Sequence, residues 1–128
     1  MPANIILIIS QDPYLAGLYG RKFETHGWNV VICENTKDGE TEIVKKKPDI
    51  VLLQKDSSFS VIEETKKIKA LVSTKKPKVV IIASETDMQE IAEARNVGAD
   101  DYLLSGHFVA NEAVEKMKDL IRNQNKYV

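Results

Sequence analysis

Five short apolar runs rich in β-branched residues recur along the chain: Ile5-Ile6-Leu7-Ile8-Ile9, Val30-Val31-Ile32-Cys33, Ile50-Val51-Leu52-Leu53, Val79-Val80-Ile81-Ile82-Ala83 and Tyr102-Leu103-Leu104. None alternates with polar residues, so none has a face to offer to water. Such runs suit strands covered on both sides, as in a parallel sheet. Their shortness, branching and flanking Pro and Gly residues favour strands over pieces of buried helix.

The segments between them carry helical signals. Asp12-Pro13 reads as an N-cap followed by proline in the first turn, with Leu15, Leu18, Tyr19, Lys22 and Phe23 at helical spacing and Gly27 at the end. Ser60-Val61-Ile62-Glu63 has capping-box spacing, with Ile62, Ile68, Leu71 and Val72 as the expected buried stripe. Thr86-Asp87-Met88-Gln89 repeats the box ahead of Ile91, Ala92, Ala94 and Val97, and Gly98 closes it. Val109, Ala113, Val114, Met117, Leu120 and Ile121 stripe the last helix. Residues 36–46 form the faintest helix, with Ile43 and Val44 as its only large apolar residues and Gly39 inside it.

Strand and helix therefore alternate five times, which predicts an α/β fold. The expected architecture has three layers: a doubly wound five-stranded parallel sheet between helices, flavodoxin-like (β/α)5, in strand order 2-1-3-4-5. With 128 residues the chain is one domain, spanning 3–124, with 125–128 as a C-terminal tail.

Composition removes several function classes. Eighteen Lys plus Arg against 19 Asp plus Glu leave a net charge of −1, so no overall field favours nucleic acid or an anionic membrane. The lone Cys33 excludes an internal disulfide and a cysteine-rich zinc site. No apolar run exceeds five residues, so neither a membrane span nor a signal peptide is expected, and the chain is expected in the cytoplasm. Lys45, Lys46 and Lys47, and Lys75, Lys76 and Lys78, gather at the amino ends of strands, while acidic residues gather at helix starts. The balanced total thus conceals a dipolar arrangement.

In doubly wound folds, sites lie beyond the carboxyl ends of the strands. The positions to read are Ser10, Gln11 and Asp12; Gln54, Lys55 and Asp56; Ala83, Ser84 and Glu85; and Ser105, Gly106 and His107. A hydrolase built on Ser105 and His107 lacks an acid to orient the imidazole and a glycine-flanked nucleophile turn.

The stretches Ile6-Leu7-Ile8-Ile9 with Asp12-Pro13, His26-Gly27-Trp28-Asn29-Val30, Pro48-Asp49-Ile50-Val51-Leu52-Leu53 and Gly98-Ala99-Asp100-Asp101-Tyr102-Leu103, in that order, carry a resemblance. The chain resembles the receiver domain of two-component response regulators, over about residues 3–124. That resemblance implies a signalling module rather than an enzyme, in a phosphorelay-type pathway.

It also implies which positions would be functional, and each of these has changed. The paired magnesium-binding carboxylates after the first strand are Ser10 and Gln11, and the phosphoacceptor aspartate is Gln54. The hydroxyl residue ending strand 4 is Ala83, with Ser84 beside it. The lysine after strand 5 is Ser105, and the proline after it is Gly106. A carboxamide cannot be the nucleophile that forms an acyl phosphate. Neutral oxygens are poor magnesium ligands, so no cofactor is expected and Mg2+ binding should be weak or absent.

The expectation is a degenerate receiver in which Ser10, Gln11, Gln54, Ser84 and Ser105 form a neutral hydrogen-bond network. Tyr102 stands at the family's switch position on the face of helix 4, strand 5 and helix 5. With Ala83 offering it no hydroxyl, that face is expected to bind a protein partner or a second copy without phosphorylation. Two alternatives are a conventional receiver with its site moved to Asp12 and Asp56, and a small-ligand or anion sensor using the neutral pocket.

Overall fold

The computed structural model describes residues 3–71, 75–105 and 110–126, with the side chains of 110–111 and 123–126 left aside. Val72, Gly106, His107 and Val109 lie outside the described residues. The elements run β1 (Ile5–Ile9), α1 (Pro13–Thr25), β2 (Asn29–Cys33), α2 (Thr36–Lys46), β3 (Ile50–Gln54), α3 (Val61–Leu71), β4 (Lys78–Ala83), α4 (Met88–Asn96), β5 (Asp101–Leu104) and α5 (Ala110–Lys126). The sheet is parallel throughout, in the order β2-β1-β3-β4-β5. The sequence predicts this order, and α5 runs past residue 124 to Lys126.

The absence of alternation in the strands now has its reason. Ile6, Ile8, Ile50, Leu52, Val80, Ile82 and Leu103 face one core with Phe23, Trp28, Ala113, Val114 and Met117. Leu7, Ile9, Val51, Leu53, Val79 and Ile81 face the other with Ile43, Ile68, Ala94 and Tyr102. β1, β3 and β4 thus bury successive residues on opposite sides, as does β5 through Tyr102 and Leu103. The edge strand β2 is covered only in part and leaves Ile32 exposed, against the expectation of a strand covered on both sides. Phe23 and Trp28 meet edge to face at 5.2 Å between ring centroids.

Gly39 explains why a helix as polar as α2 docks at all. A Cβ there would stand 2.4 Å from Ile9 Cδ1, so only glycine lets α2 approach β1 this closely. Of the two apolar residues expected to hold α2, Ile43 is buried and Val44 points to solvent. Asn35 caps this helix, accepting from Asp38 N at 2.8 Å while its amide donates to the Asp38 carboxylate.

Three helical expectations are corrected. The buried face of α3 is Val61, Glu64, Thr65 and Ile68, with Ile62 and Leu71 only partly covered. The cap of α4 is Asp87, accepting from Glu90 N at 2.7 Å, one residue later than the Thr86 box predicts. On α4 only Ala94 of the expected stripe is buried, because the helix lies at the sheet's margin over β5.

At the amino ends of the strands, Asp49 accepts from Ile5 N at 2.8 Å and pairs with Lys75 at 2.8 Å. Asp100 accepts from Val79 N and from Lys69, both at 2.8 Å, with Lys78 at 3.7 Å. Two strand-edge carboxylates therefore partly neutralise the lysines gathered there.

Candidate functional site

The carboxyl ends of β1 and β3 bring Ser10 and Gln54 together. Ser10 is buried, and its N–H extends the ladder to Cys33 O at 2.9 Å. Its hydroxyl donates to Gln54 Oε1, has Asp12 O 3.2 Å away, and accepts from Asp12 N at 3.0 Å. Ser10 thereby closes the turn that leads into α1. Asp12 caps that helix, its Oδ1 accepting from Tyr14 N at 3.0 Å and Leu15 N at 3.3 Å. The expected N-cap is found, and it occupies Asp12 locally.

The five neutral residues do not form one network. Gln11 turns outward, donating to Ser58 Oγ at 3.3 Å. Ser84 is exposed. Ser105 is tied to backbone, with its N–H 2.8 Å and its Oγ 3.3 Å from Ala83 O. Only Ser10 and Gln54 bond side chain to side chain. The others lie on separate loops: Gln11 and Ser105 bond to nearer partners, and Ser84 faces solvent.

Asp56 is more than a solvated carboxylate. It accepts from the N–H of Ser58 at 2.7 Å and from the Ser58 hydroxyl, forming an Asx-turn that shapes the β3–α3 loop. Lys55, Asp56, Ser57, Ser84 and Glu85 line a cleft of about 260 Å³. Its charged groups are two carboxylates and one ammonium, and of the five neutral residues only Ser84 lines it. Among the described residues no group of three or more His, Cys, Asp or Glu is arranged to hold a metal ion.

Beside this cleft lies a polar cluster that the sequence reading misses. Glu90 Oε2 on α4 receives Lys55 Nζ at 2.7 Å, Thr86 Oγ1 at 2.8 Å and Tyr102 OH at 2.6 Å. Burial opposes ionisation of Glu90, but hydrogen bonds from Lys55, Tyr102 and Thr86 outweigh it and hold the carboxyl below its ordinary range. Tyr102 is pushed up to about 12 by burial first and then by the Glu90 carboxylate. Glu90 reads in sequence only as a helix-start charge, and Thr86 only as a cap. Nothing in their spacing marks them as partners of Tyr102, which is contributed by another element.

On the outer surface Met88 is 82% exposed, and Asp101 lies between Arg95 at 3.5 Å and Lys116 at 3.8 Å, joining α4, β5 and α5. Elsewhere, Glu64 is buried on α3 and its carboxyl is raised to about 8 by desolvation, by Glu40 as hydrogen-bond and Coulombic neighbour, and against the pull of Lys67. Among the described residues no helix is long and apolar enough to cross a membrane.

No protein-family profile matches the sequence, and no curated protein does. Solved structures match closely in shape. A CheY-like response regulator receiver domain from Methanospirillum hungatei superposes with a TM-score of 0.89 at 20% identity, covering 99% of this chain and 100% of that one. A two-component response regulator from Clostridium difficile gives 0.86 at 24% identity, covering 95% and 98%. A structure described as an atypical orphan response regulator with a phosphorylation-independent regulatory mechanism gives 0.80 at 19% identity, covering 92% and 95%. The strand order, the placement of every helix and these superpositions lead to one statement: the chain has the fold of response regulator receiver domains.

Proposed function

We propose that this protein is a degenerate receiver domain that acts in phosphorelay-type signalling as a phosphorylation-independent protein-interaction module, in the cytoplasm. The observation that carries this reading is the Ser10–Gln54 pair. Where an active receiver would place a phosphoacceptor carboxylate, a carboxamide oxygen accepts a hydrogen bond from a buried hydroxyl. A carboxamide has no anionic oxygen for attack on phosphorus, and its oxygen here is already engaged. Asp12 and Asp56, the carboxylates that follow β1 and β3, serve a helix cap and a loop turn. Similarity in shape to an atypical orphan regulator is in keeping with the proposal.

On this reading the domain is not an enzyme, needs no cofactor, and binds Mg2+ weakly or not at all. Its partner, a protein or a second copy, docks on the face of α4, β5 and α5. Nucleic acid and membrane are not its targets. The test is titration with magnesium and beryllofluoride, followed by amide chemical shifts. Flat shifts at Ser10, Gln54 and Ser105 are expected. Saturable shifts clustered at those strand ends would sink the proposal.

A further inference from the structure

Lys55 directly follows Gln54, and its N–H still belongs to the sheet, bonding to Ile82 O at 2.9 Å. Its backbone is therefore fixed, and its ammonium reaches across to Glu90 on α4. The same carboxylate oxygen gathers Thr86 from the β4–α4 loop and Tyr102 from β5. Asp87 holds the Glu90 backbone through the N-cap bond. One oxygen thus collects donors from three separate pieces of chain, at 2.6 to 2.8 Å.

We propose that Lys55, Thr86 and Glu90 are positioning residues that clamp Tyr102 inward, so that an internal ion pair fixes the state of the α4–β5 surface without any phosphoryl group. This rests on the phosphorylation-independent reading and names what sets the docking face. The Tyr102 hydroxyl stays inside only while a good acceptor is there to meet it, because a buried hydroxyl without a partner is costly. Glu90 provides that acceptor and stays ionised because the Lys55 ammonium, with the Tyr102 and Thr86 hydroxyls, stabilises its charge. The Lys55 and Glu90 side chains are 34% and 25% exposed, so the pair is screened less than a fully exposed one. The adjoining cleft adds Asp56 and Glu85, so an incoming anion meets two carboxylates before it can draw Lys55 away. The clamp is built to stay shut.

The test is nuclear magnetic resonance on the whole chain carrying 13C at the tyrosine ζ position. Lys55→Met removes a side chain that touches Glu90, not Tyr102. It is expected to shift the Tyr102 ring signals and to speed amide exchange across α4 by about tenfold. Lys55→Arg is expected to restore both. Glu90→Gln keeps the shape and removes the charge, and is expected to lower the Tyr102 titration midpoint by about one pH unit or more. If Tyr102 and α4 are unchanged in Lys55→Met and the midpoint holds in Glu90→Gln, the clamp is overturned while the phosphorylation-independent reading stands. If the wild-type Tyr102 signal moves with magnesium and beryllofluoride, the functional reading itself fails. The two failures are separately visible.

Discussion

A buried acid on α3 has the clearest consequence at the scale of single residues. Glu64 is buried beside Glu40, its Oε2 lacks a hydrogen-bond partner among the described residues, and its carboxyl is raised to about 8. A folded-state value above the unfolded one means that the folded protein holds the proton more tightly. The associated stability is fully present below about pH 4.5 and is lost as the pH rises through about 8, by an amount on the order of a few kcal/mol. Glu64→Gln is expected to flatten that slope, giving a higher melting temperature than wild type at pH 9. Thermal melts of both proteins across pH 5 to about 9 check this. A second prediction concerns Gln54→Asp. Introducing that one carboxylate leaves a neutral Ser10 beside it, a neutral Gln11 turned outward and no lysine at position 105, so acetyl phosphate with magnesium should give no phosphoryl adduct by intact mass. The neutral residues at 10, 11, 54 and 105 are legible without a structure, because they are identities at fixed positions. Glu64 is not, because a reading that follows apolar letters along α3 passes over the true buried face of 61, 64, 65 and 68.

At the scale of elements, α2 shows how a close approach substitutes for apolar surface. Alanine exceeds glycine in helix propensity by about 1 kcal/mol, so Gly39→Ala in an isolated helix would stabilise it. In this fold the added Cβ collides with the buried Ile9 side chain, and a net loss of about 1–3 kcal/mol is expected from urea unfolding. The helix termini were mostly readable, since Asp12 and the Ser60-to-Glu63 bond at 3.2 Å both appear as the spacing predicts. The start of α4 moved by one residue because Thr86 and Asp87 both suit a cap. The choice fell to Asp87 while the Thr86 hydroxyl bonds to Glu90. That one-residue shift is what brings Thr86 into the cluster around Tyr102.

Across the whole molecule, charge is arranged by the strand ends rather than by the total. Asp100 serves the Val79 N–H and the Lys69 ammonium together, so Asp100→Ala strands the Val79 N–H, leaves Lys69 with Pro77 O as its acceptor at 3.0 Å, and should cost about 1–3 kcal/mol. Breaking the exposed Lys66–Glu63 pair should cost no more than about 0.5 kcal/mol, and parallel thermal melts of the two variants would compare them. The sequence alone determined the fold class and strand order, because doubly buried strands, capped helices and short connections admit few topologies. It also determined that the strand end at position 54 carries a carboxamide and not a carboxylate, which is a matter of identity at one point in the chain. Only the tertiary structure decided which polar residues meet. Ser10 found Gln54 while Gln11, Ser84 and Ser105 went elsewhere, and Tyr102 found Glu90 and, through it, Lys55. The physical reason is that a hydrogen bond is decided within a few tenths of an ångström. The apolar pattern sets which face of an element is buried, whereas the packed positions of several elements set which donor reaches which acceptor.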